Sequence, residues 1–256
     1  MRKEHNTSSF VGSSEVDDAE KPYSLRRLMT RRVLLSVTNY ATLSLVDISY
    51  RAIHPLFFST PISRGGLGLD PPSIGKILAC YGILNGIFQV TCFARAHALC
   101  GIKRLFVGGL CCAVPMFALF PVINAIARVY GLGTVVYSVV ALQIVFSLGL
   151  SSCYGMSLFS QTTENLVDPD LTGCIFIYIS ASSPNRASLG ATNGIAQLLV
   201  SIMRAIGPAA ATSLFSLSLA EGYLGGGLVY MVLLMISLAA VTIGTTLPQQ
   251  VWQSWN

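Results

Sequence analysis

The sequence predicts an all-α integral membrane protein, a bundle of six transmembrane helices. Hydrophobic residues make up 53% of the 256 residues and charged residues 11%, whereas a soluble domain carries about 25% charged residues. Residues 1–32 hold 12 of the 27 charges, so the rest of the chain has too few charges to cover a soluble surface. That remainder contains six apolar runs, and a helix of about 20 residues is enough to cross a bilayer.

The chain divides into a polar N-terminal segment and a six-helix domain. Residues 1–32 are serine-rich, end in a group of arginines and are predicted to be a disordered cytosolic segment. Residues 33–256 form the transmembrane domain, with spans at about 33–59, 73–94, 105–125, 135–155, 191–220 and 224–247. A glycine- and proline-rich loop follows the first span, and a basic loop with Arg95, Lys103 and Arg104 follows the second.

Lysine and arginine residues are distributed unequally between the two sides of this topology. Eleven lie in the N-terminal segment, in the loop after the second span and before the fifth span, and three lie on the opposite side. Because positive charges are retained in cytosolic loops, both termini are expected in the cytosol. The sequence leaves the plasma membrane and the vacuolar membrane equally open.

Cysteine content and the lack of enzyme motifs exclude several function classes. The seven cysteines are an odd number without a CxxC pair, which excludes a secreted disulfide scaffold. The positive charges form no basic stripe, so nucleic acid is not an expected partner. The sequence has no zinc-protease, serine-hydrolase or phosphate-loop motif in a usable context, and His54 is the one intramembrane histidine. The protein is therefore predicted not to be an enzyme, to need no cofactor or metal, and to have the lipid bilayer as its surroundings.

Residues 156–173 interrupt the apolar pattern between the fourth and fifth spans. The stretch is polar, and the apolar residues 174–180 after it are too few to span a membrane. Without these 18 residues, the flanking sequence reads as one continuous helix end. Their codons can carry splice-site-like strings at both ends while keeping the frame. The stretch is therefore either a translated intron or a genuine cytosolic loop.

Four of the predicted spans carry polar side chains at helical spacing on one face. The third and sixth spans lack such a stripe, so four helices are expected to line a wet, polar cavity, although interhelical hydrogen bonding accounts for any single stripe. The candidate cavity residues are Tyr50 and His54 on the first span, Tyr81, Asn85 and Gln89 on the second, Gln143 and Ser147 on the fourth (continued by Ser151 and Tyr154), and Asn193, Gln197, Ser201 and Arg204 on the fifth.

Apart from Lys76 near the start of the second span, three charged residues lie inside the predicted membrane spans. Asp47 and Arg51 are four residues apart in the first span and therefore share a face. A charge at the centre of a membrane helix costs about 2.5–3.5 kcal/mol on insertion scales, so such residues are functional candidates. The pair is either a proton-coupling site or a structural bridge that neutralises itself. Arg204 has two candidate partners, Asp47 and an anionic group on a substrate.

Glycine and proline positions predict a bend and close helix contacts. Gly207 and Pro208 are predicted to kink the fifth span. Glycines four residues apart fit close packing between membrane helices, and such pairs are Gly82 with Gly86 and Gly190 with Gly194.

Three stretches resemble a known transporter family. HPLFFSTPISRGGLGLDPPSIGK (54–76) resembles the first connecting loop of the second half of fungal major facilitator superfamily proteins akin to the plant zinc-induced facilitator-like group. FARAHALCGIKR (93–104) resembles the basic loop between the second and third helices of that half, although the acidic residue of the loop is missing here. SSPNRASLGATNGIAQ and RAIGPAAATSLF, both within 182–215, resemble the entry to its fifth helix. Residues 33–247 thus resemble the C-terminal, six-helix half of such a transporter.

The resemblance implies a proton-coupled secondary transporter of a small molecule that works by alternating access, and it leaves the substrate open. It also implies that the first, second, fourth and fifth helices of the half face the cavity. Residues 1–32 resemble the linker between the two halves. Because alternating access needs both halves, the chain is expected to be a partial transporter that is inactive without an N-terminal six-helix partner. The competing interpretation is a non-transporting six-helix membrane scaffold or binding protein.

Overall fold

The structure is a computed structural model that describes residues 25–154 and 174–248. Within these residues the chain forms helices and turns and has no strand. A single helical turn at Leu25–Leu28 precedes the helices α1 (Arg31–Ser59), α2 (Pro71–Thr91), α3 (Phe93–Cys100), α4 (Ile102–Tyr130), α5 (Thr134–Ser151), α6 (Cys174–Ser182), α7 (Leu189–Ala220) and α8 (Leu228–Thr245).

Six long helices, α1, α2, α4, α5, α7 and α8, correspond in order to the six predicted spans. All of them except α1 are long and apolar enough to cross a membrane, which confirms the prediction of a helical membrane bundle. α1 has 29 residues, but Asn39, Asp47 and Arg51 lower its mean hydropathy. The count of six spans therefore stays a prediction.

The basic loop predicted after the second span is largely helical in the structure. Arg95 lies in α3, while Lys103 and Arg104 lie in the first turn of α4. The two helices are separated at Gly101, whose φ of 75° is a left-handed conformation that glycine adopts without a Cβ clash. One glycine thus produces the turn for which the sequence analysis allowed ten residues.

The predicted N-terminal segment lies mostly outside the described residues, which begin at residue 25. The end of this segment differs from the prediction because it is already helical. Leu25–Leu28 forms a turn, and α1 begins at Arg31. The hydroxyl of Thr30 accepts a hydrogen bond from the backbone N–H of Val33 at 3.4 Å, which satisfies one of the free donors at the start of a helix.

Residues 156–173, for which the sequence leaves two interpretations, also lie outside the described residues. The described chain ends on either side of this stretch lie next to each other. The backbone N–H of Ile175 donates to the carbonyl of Cys153 at 3.4 Å, and the side chains of Cys153 and Cys174 are both fully buried. The described residues on either side of the stretch are therefore in contact, whether the stretch is a translated intron or a cytosolic loop.

The helices pack around a core that α1, α4 and α8 share. α1 packs along α7, α4 packs along α5, and α8 contacts both α4 and α1. At the junction of α1, α4 and α8, the ring of Phe120 lies 4.9 Å from that of Phe57 and 5.0 Å from that of Tyr230, measured between centroids. Aromatic pairs at this separation add to the packing energy of the buried area itself.

α2 stands at the edge of the bundle with most of its surface uncovered. Only 6% of its apolar stretch is buried, and the side chains of Ile83 and Val90 are 65% and 63% exposed. α7 also has an uncovered apolar face, on which Leu198 is 64% exposed. In a membrane protein such faces suit contact with lipid or with further helices.

α1 and α7 approach each other closely at Gly207. A Cβ atom at this position would lie 2.6 Å from Cγ2 of Ile48 and 3.3 Å from Cδ1 of Leu45, so a larger residue would push the two helices apart. α7 continues as a helix through Gly207 and Pro208. A kink at these residues stays a prediction.

The two glycine pairs predicted to pack against other helices do not do so within the described chain. At all four positions, an added Cβ atom would have no neighbouring atom within 4 Å apart from the backbone of its own helix. Packing against a further helix stays a prediction, because a glycine pattern does not show which face of a helix is covered. The four glycines lie on the uncovered surfaces of α2 and α7, and they are Gly82, Gly86, Gly190 and Gly194.

The loop between α1 and α2 is held against α4 by one amide. The side-chain Nδ2 of Asn124 donates to the carbonyls of Ile62 at 3.0 Å and Gly66 at 2.7 Å. Arg128, one turn further along α4, donates to the carbonyl of Ser63 at 3.2 Å. Because Asn124 is 7% exposed, its amide replaces water as the partner of these carbonyls.

Candidate functional site

A polar cleft of about 570 Å³ lies between the helices that carry the predicted polar stripes. Residues of α1, α2 and α7 and the C-terminal end of α5 contribute to it, with one aromatic residue of α6. None of its lining residues comes from α4 or α8. The lining residues are Tyr40, Asp47, Ile48, Arg51, Asn85, Gln89, Ser151, Tyr154, Phe176, Gln197 and Arg204.

The cleft contains an ion pair within α1. The Nε of Arg51 donates to both carboxylate oxygens of Asp47, to Oδ1 at 3.0 Å and Oδ2 at 2.9 Å. The side chain of Asp47 is 13% exposed, while that of Arg51 is 45% exposed. The carboxylate is therefore the more deeply placed partner, and the guanidinium reaches from it towards the open part of the cleft.

Arg204 adds a second guanidinium to the same cleft from α7. Within the described residues it forms no ion pair, and Asp47 is paired with Arg51. Two cations thus share the cleft with one carboxylate. Of the two candidate partners of Arg204, Asp47 is therefore occupied in this conformation.

Two amide side chains on α2, those of Asn85 and Gln89, line the cleft. The side-chain Nε2 of Gln89 donates to the carbonyl of Ser151 at 2.9 Å, which ties α2 to the end of α5. The Oε1 of Gln89 and the Oδ1 of Asn85 are buried and have no hydrogen-bond partner among the described residues. The hydroxyl of Tyr154 is likewise buried without a described partner.

Two of the candidates on the first span lie in the aromatic core and do not line the cleft. Tyr50 and His54 stack with their ring centroids 4.8 Å apart, and the ring of His54 lies 4.4 Å from that of Phe58. Both side chains are almost completely buried. Tyr81 on α2, 8% exposed, is also absent from the cleft lining.

Some candidates on the fourth span lie in contacts within or between helices, and others line the cleft. Gln143 is fully buried, and its Nε2 donates to the carbonyl of Met116 at 2.9 Å, so it joins α5 to α4. Ser147 donates back to the carbonyl of Ile144 within α5 at 2.7 Å. Ser151 and Tyr154, further along the same stripe, line the cleft.

On the fifth span, Gln197 and Arg204 line the cleft, whereas Asn193 and Ser201 do not. The cleft lining also includes three residues that the polar stripes do not predict, Tyr40, Ile48 and Phe176. Tyr40 lies seven residues before Asp47, two helical turns away on the same face, and extending the stripe backwards would have found it. Ile48 and Phe176 are apolar, so no stripe of polar residues could have indicated them.

The described residues offer no group of three or more histidine, cysteine, aspartate or glutamate side chains that could hold a metal ion. The cleft itself is lined by charged, hydrogen-bonding and aromatic side chains. It suits reversible binding of a small polar molecule within a bundle of membrane helices.

The chain is similar to curated transporters. It is 29% identical over 188 residues to zinc-induced facilitator-like 1 of Arabidopsis thaliana, which covers 73% of this chain and 34% of that protein. It is 26% identical over 230 residues to the major facilitator superfamily multidrug transporter mfsB of Aspergillus fumigatus, covering 85% of the chain and 35% of the relative. It is 26% identical over 245 residues to zinc-induced facilitator 1 of Arabidopsis thaliana, covering 93% and 45%.

These relatives are major facilitator superfamily transporters, so the resemblance predicted from the sequence is confirmed. The chain spans between about a third and just under half of the length of each of these three relatives. No family model matches the chain, and no solved structure matches it significantly.

Proposed function

We propose that this chain is one half of a proton-coupled secondary transporter that moves a small molecule across a membrane by alternating access. Similarity to major facilitator transporters supports transport at the level of the family. The observation that carries the proposal is the polar cleft, in which an ion pair, a second arginine and several amides meet within helices apolar enough to cross a membrane.

Asp47 is the proton-responsive group in this proposal. A neighbouring cation favours the ionised carboxylate, whereas apolar surroundings favour the neutral acid. In the conformation described here the carboxylate of Asp47 is paired with Arg51. A movement of α1 that separates the pair would favour protonation and so couple proton uptake to a change in the cleft.

Arg204 competes for the same carboxylate or binds an anionic group of the substrate. Because Asp47 is engaged by Arg51 in this conformation, Arg204 is available to a substrate here. In a state in which Arg51 has moved away, Arg204 would replace it as the partner of Asp47. The exchange of partners gives the cleft two states, and in each of them the carboxylate of Asp47 is paired with an arginine.

A second six-helix half completes the transporter. The chain matches only part of each relative, and alternating access requires one half to rock against another. The uncovered faces of α2 and α7 flank the polar cleft, which supports a partner on that side. In the proposed orientation both termini lie in the cytosol, because eleven lysine and arginine residues lie on that side and three on the other.

The test is transport by a fusion of this chain to the six N-terminal helices of one of its fungal relatives. The fusion and the unfused chain are reconstituted into separate vesicles with an imposed pH gradient and exposed to a low-molecular-mass yeast extract. Mass spectrometry of the vesicle contents measures which compounds accumulate. The fusion is expected to accumulate at least one compound in a manner that collapses with the pH gradient, and the unfused chain is expected to accumulate none.

The Asp47→Asn variant of the fusion separates proton coupling from binding. We expect it to insert normally and to lose the dependence on the pH gradient. Accumulation that responds to the gradient in the same way as the parent would show that the pair of Asp47 and Arg51 is a structural bridge. A correctly inserted fusion that accumulates nothing would favour the non-transporting scaffold or binding protein.

A further inference from the structure

The hydrogen-bonding groups in the polar cleft are not those of a site for a simple anion or a simple cation. On one side lie the guanidinium groups of Arg51 and Arg204, with Asp47 neutralising one of them. On the other side α2 presents the oxygens of Asn85 and Gln89, which are buried and have no partner within the described chain. The cleft therefore offers a cationic donor and several neutral acceptors together.

From this arrangement we propose that the cleft binds a small amino-carboxylate zwitterion, a molecule with one carboxylate and one protonated amine. The inference rests on the proposed function, in which the cleft is the substrate site, and it names the class of that substrate. The carboxylate binds Arg204, and the ammonium group donates to the acceptors on α2.

Arg204 has the geometry and the charge to bind the carboxylate end. A guanidinium presents its N–H donors as a planar fork that matches the two oxygens of a carboxylate. Asp47, the acidic residue that lines the cleft, is paired with Arg51, whose Nε–H donates to both carboxylate oxygens. The net charge of the three side chains is thus one positive charge, which a single carboxylate neutralises.

The amide of Gln89 indicates that the α2 side of the cleft accepts hydrogen bonds from the ligand. Its Nε2 donates to the carbonyl of Ser151, and the reversed amide would place an oxygen against that carbonyl. The Oε1 of Gln89 must therefore face away as an acceptor. Asn85 lies one turn earlier on the same face of α2, and Tyr154 adds a hydroxyl that also lacks a described partner. An ammonium group has three N–H donors and no acceptor, so it matches three such oxygens.

Ligands with one charge fit this cleft less well. A simple anion would neutralise Arg204 and leave the buried oxygens of Asn85 and Gln89 without donors, and buried polar groups without partners are unfavourable. A simple cation would satisfy those oxygens and face two guanidinium groups against one carboxylate. A zwitterion satisfies both sets of groups at once.

Aromatic rings line a third part of the cleft and suit a flat apolar side chain on the ligand. The ring of Tyr40 lies 5.2 Å from that of Phe176 and 6.4 Å from that of Tyr154, in edge-to-face arrangements. All three residues line the cleft. Phenylalanine is therefore a suitable probe of the class, because it combines the two charges with an aromatic ring.

The experiment measures binding to the purified 256-residue chain in nanodiscs by isothermal titration calorimetry at neutral pH. Three probes are compared: phenylalanine, N-acetylphenylalanine, which lacks the ammonium group, and phenylalanine methyl ester, which lacks the carboxylate. We expect phenylalanine to bind at least about tenfold more tightly than either derivative. The binding assay uses the chain without a second half, so its result is separate from that of the transport assay.

Two variants test which residue binds the carboxylate of the ligand and which residue binds its ammonium group. Arg204→Gln should weaken phenylalanine to the affinity of its methyl ester and leave the methyl ester unchanged. Gln89→Leu should weaken phenylalanine and leave N-acetylphenylalanine unchanged. Arg128→Gln, the same change as at Arg204 but at a residue outside the cleft, is the matched control and should leave all three affinities as in the parent chain.

Equal affinity for the three probes, or tighter binding of either derivative, would overturn the zwitterion while leaving the cleft as a binding site. Absence of binding by all three probes in a folded chain would overturn it as well. In either case accumulation by the fusion in the transport assay would keep the proposed function. Failure of the fusion to accumulate any compound, with phenylalanine bound selectively, would retain the zwitterion site and reject transport.

Discussion

The Nε atom of Arg51 donates to both carboxylate oxygens of Asp47, one helical turn earlier in α1, at 3.0 Å and 2.9 Å. This places the acid before the base at a spacing of four residues, the more favourable order for pairing on a helix. The two members are unequally buried, with side-chain exposures of 13% for Asp47 and 45% for Arg51. Removal of Arg51 and removal of Asp47 should therefore destabilise the protein by different amounts.

Arg51→Ala is expected to destabilise the protein by about 1–3 kcal/mol, because it leaves a largely buried carboxylate without its partner, and the exposure of Arg51 keeps the cost below that of a fully buried pair. Asp47→Asn should cost less, since the remaining arginine reaches solvent. The thermal unfolding midpoint in detergent measures both. A loss at Asp47→Asn equal to or larger than that at Arg51→Ala would contradict this ordering.

Gly207→Ala should destabilise the contact between α1 and α7. The added Cβ would lie 2.6 Å from Cγ2 of Ile48, a branched side chain that cannot swing aside, and overpacking of this kind costs about 1–3 kcal/mol. Gly194→Ala on the same helix is the control, because its Cβ would have no neighbour within 4 Å. Thermal unfolding of the two variants should differ, and identical midpoints would show that the helices separate without cost.

Asn124→Ala should loosen the loop between α1 and α2. The substitution removes two hydrogen bonds to the carbonyls of Ile62 and Gly66, and each buried acceptor left without a partner costs about 1–3 kcal/mol. Hydrogen exchange at the loop amides measures the effect. Arg128→Ala removes an exposed bond to Ser63 at 3.2 Å and serves as the comparison. Exchange that is faster in Arg128→Ala than in Asn124→Ala would contradict the assignment.

Deletion of residues 156–173 should leave the bundle intact. The backbone groups of Cys153 and Ile175 are within hydrogen-bond distance, so the described ends on either side of the stretch already lie next to each other. We expect the unfolding midpoint to change by less than about 4 °C, which corresponds to roughly 1 kcal/mol for a protein of this size. A deletion variant that fails to fold would indicate that the stretch is an integral loop. Transcript reads that join the flanking codons directly would identify it as an intron.

Cysteine labelling from each side of the membrane tests the proposed orientation. In a background without other cysteines, Ser63→Cys should react from outside, and the native Cys100 should react after the membrane is permeabilised. Both positions are exposed in the structure, so access depends on the side of the membrane. Labelling of both from the same side would reject the orientation inferred from the distribution of lysine and arginine.

The sequence by itself determined the class of fold and the approximate positions of the long helices. A helix in lipid must satisfy its backbone internally, so a run of about 20 apolar residues is sufficient evidence for a membrane helix without knowledge of its neighbours. The pairing of Asp47 with Arg51 could also be predicted, because both partners lie on one helix and side chains four residues apart share a helix face. Asn85, Gln89, Gln197 and Arg204 were found for the same reason.

The tertiary structure decided which face of each helix is covered. Polar spacing selected Tyr50, His54 and Gln143 as readily as Asn85, yet the first three lie within the helix contacts of the core and Asn85 lies in the cleft. Glycine spacing selected Gly82 and Gly190, whereas the close contact is made at Gly207. Periodicity shows that side chains share a face, but only the packing of one helix on another determines whether that face meets a neighbour, the cleft or the surface.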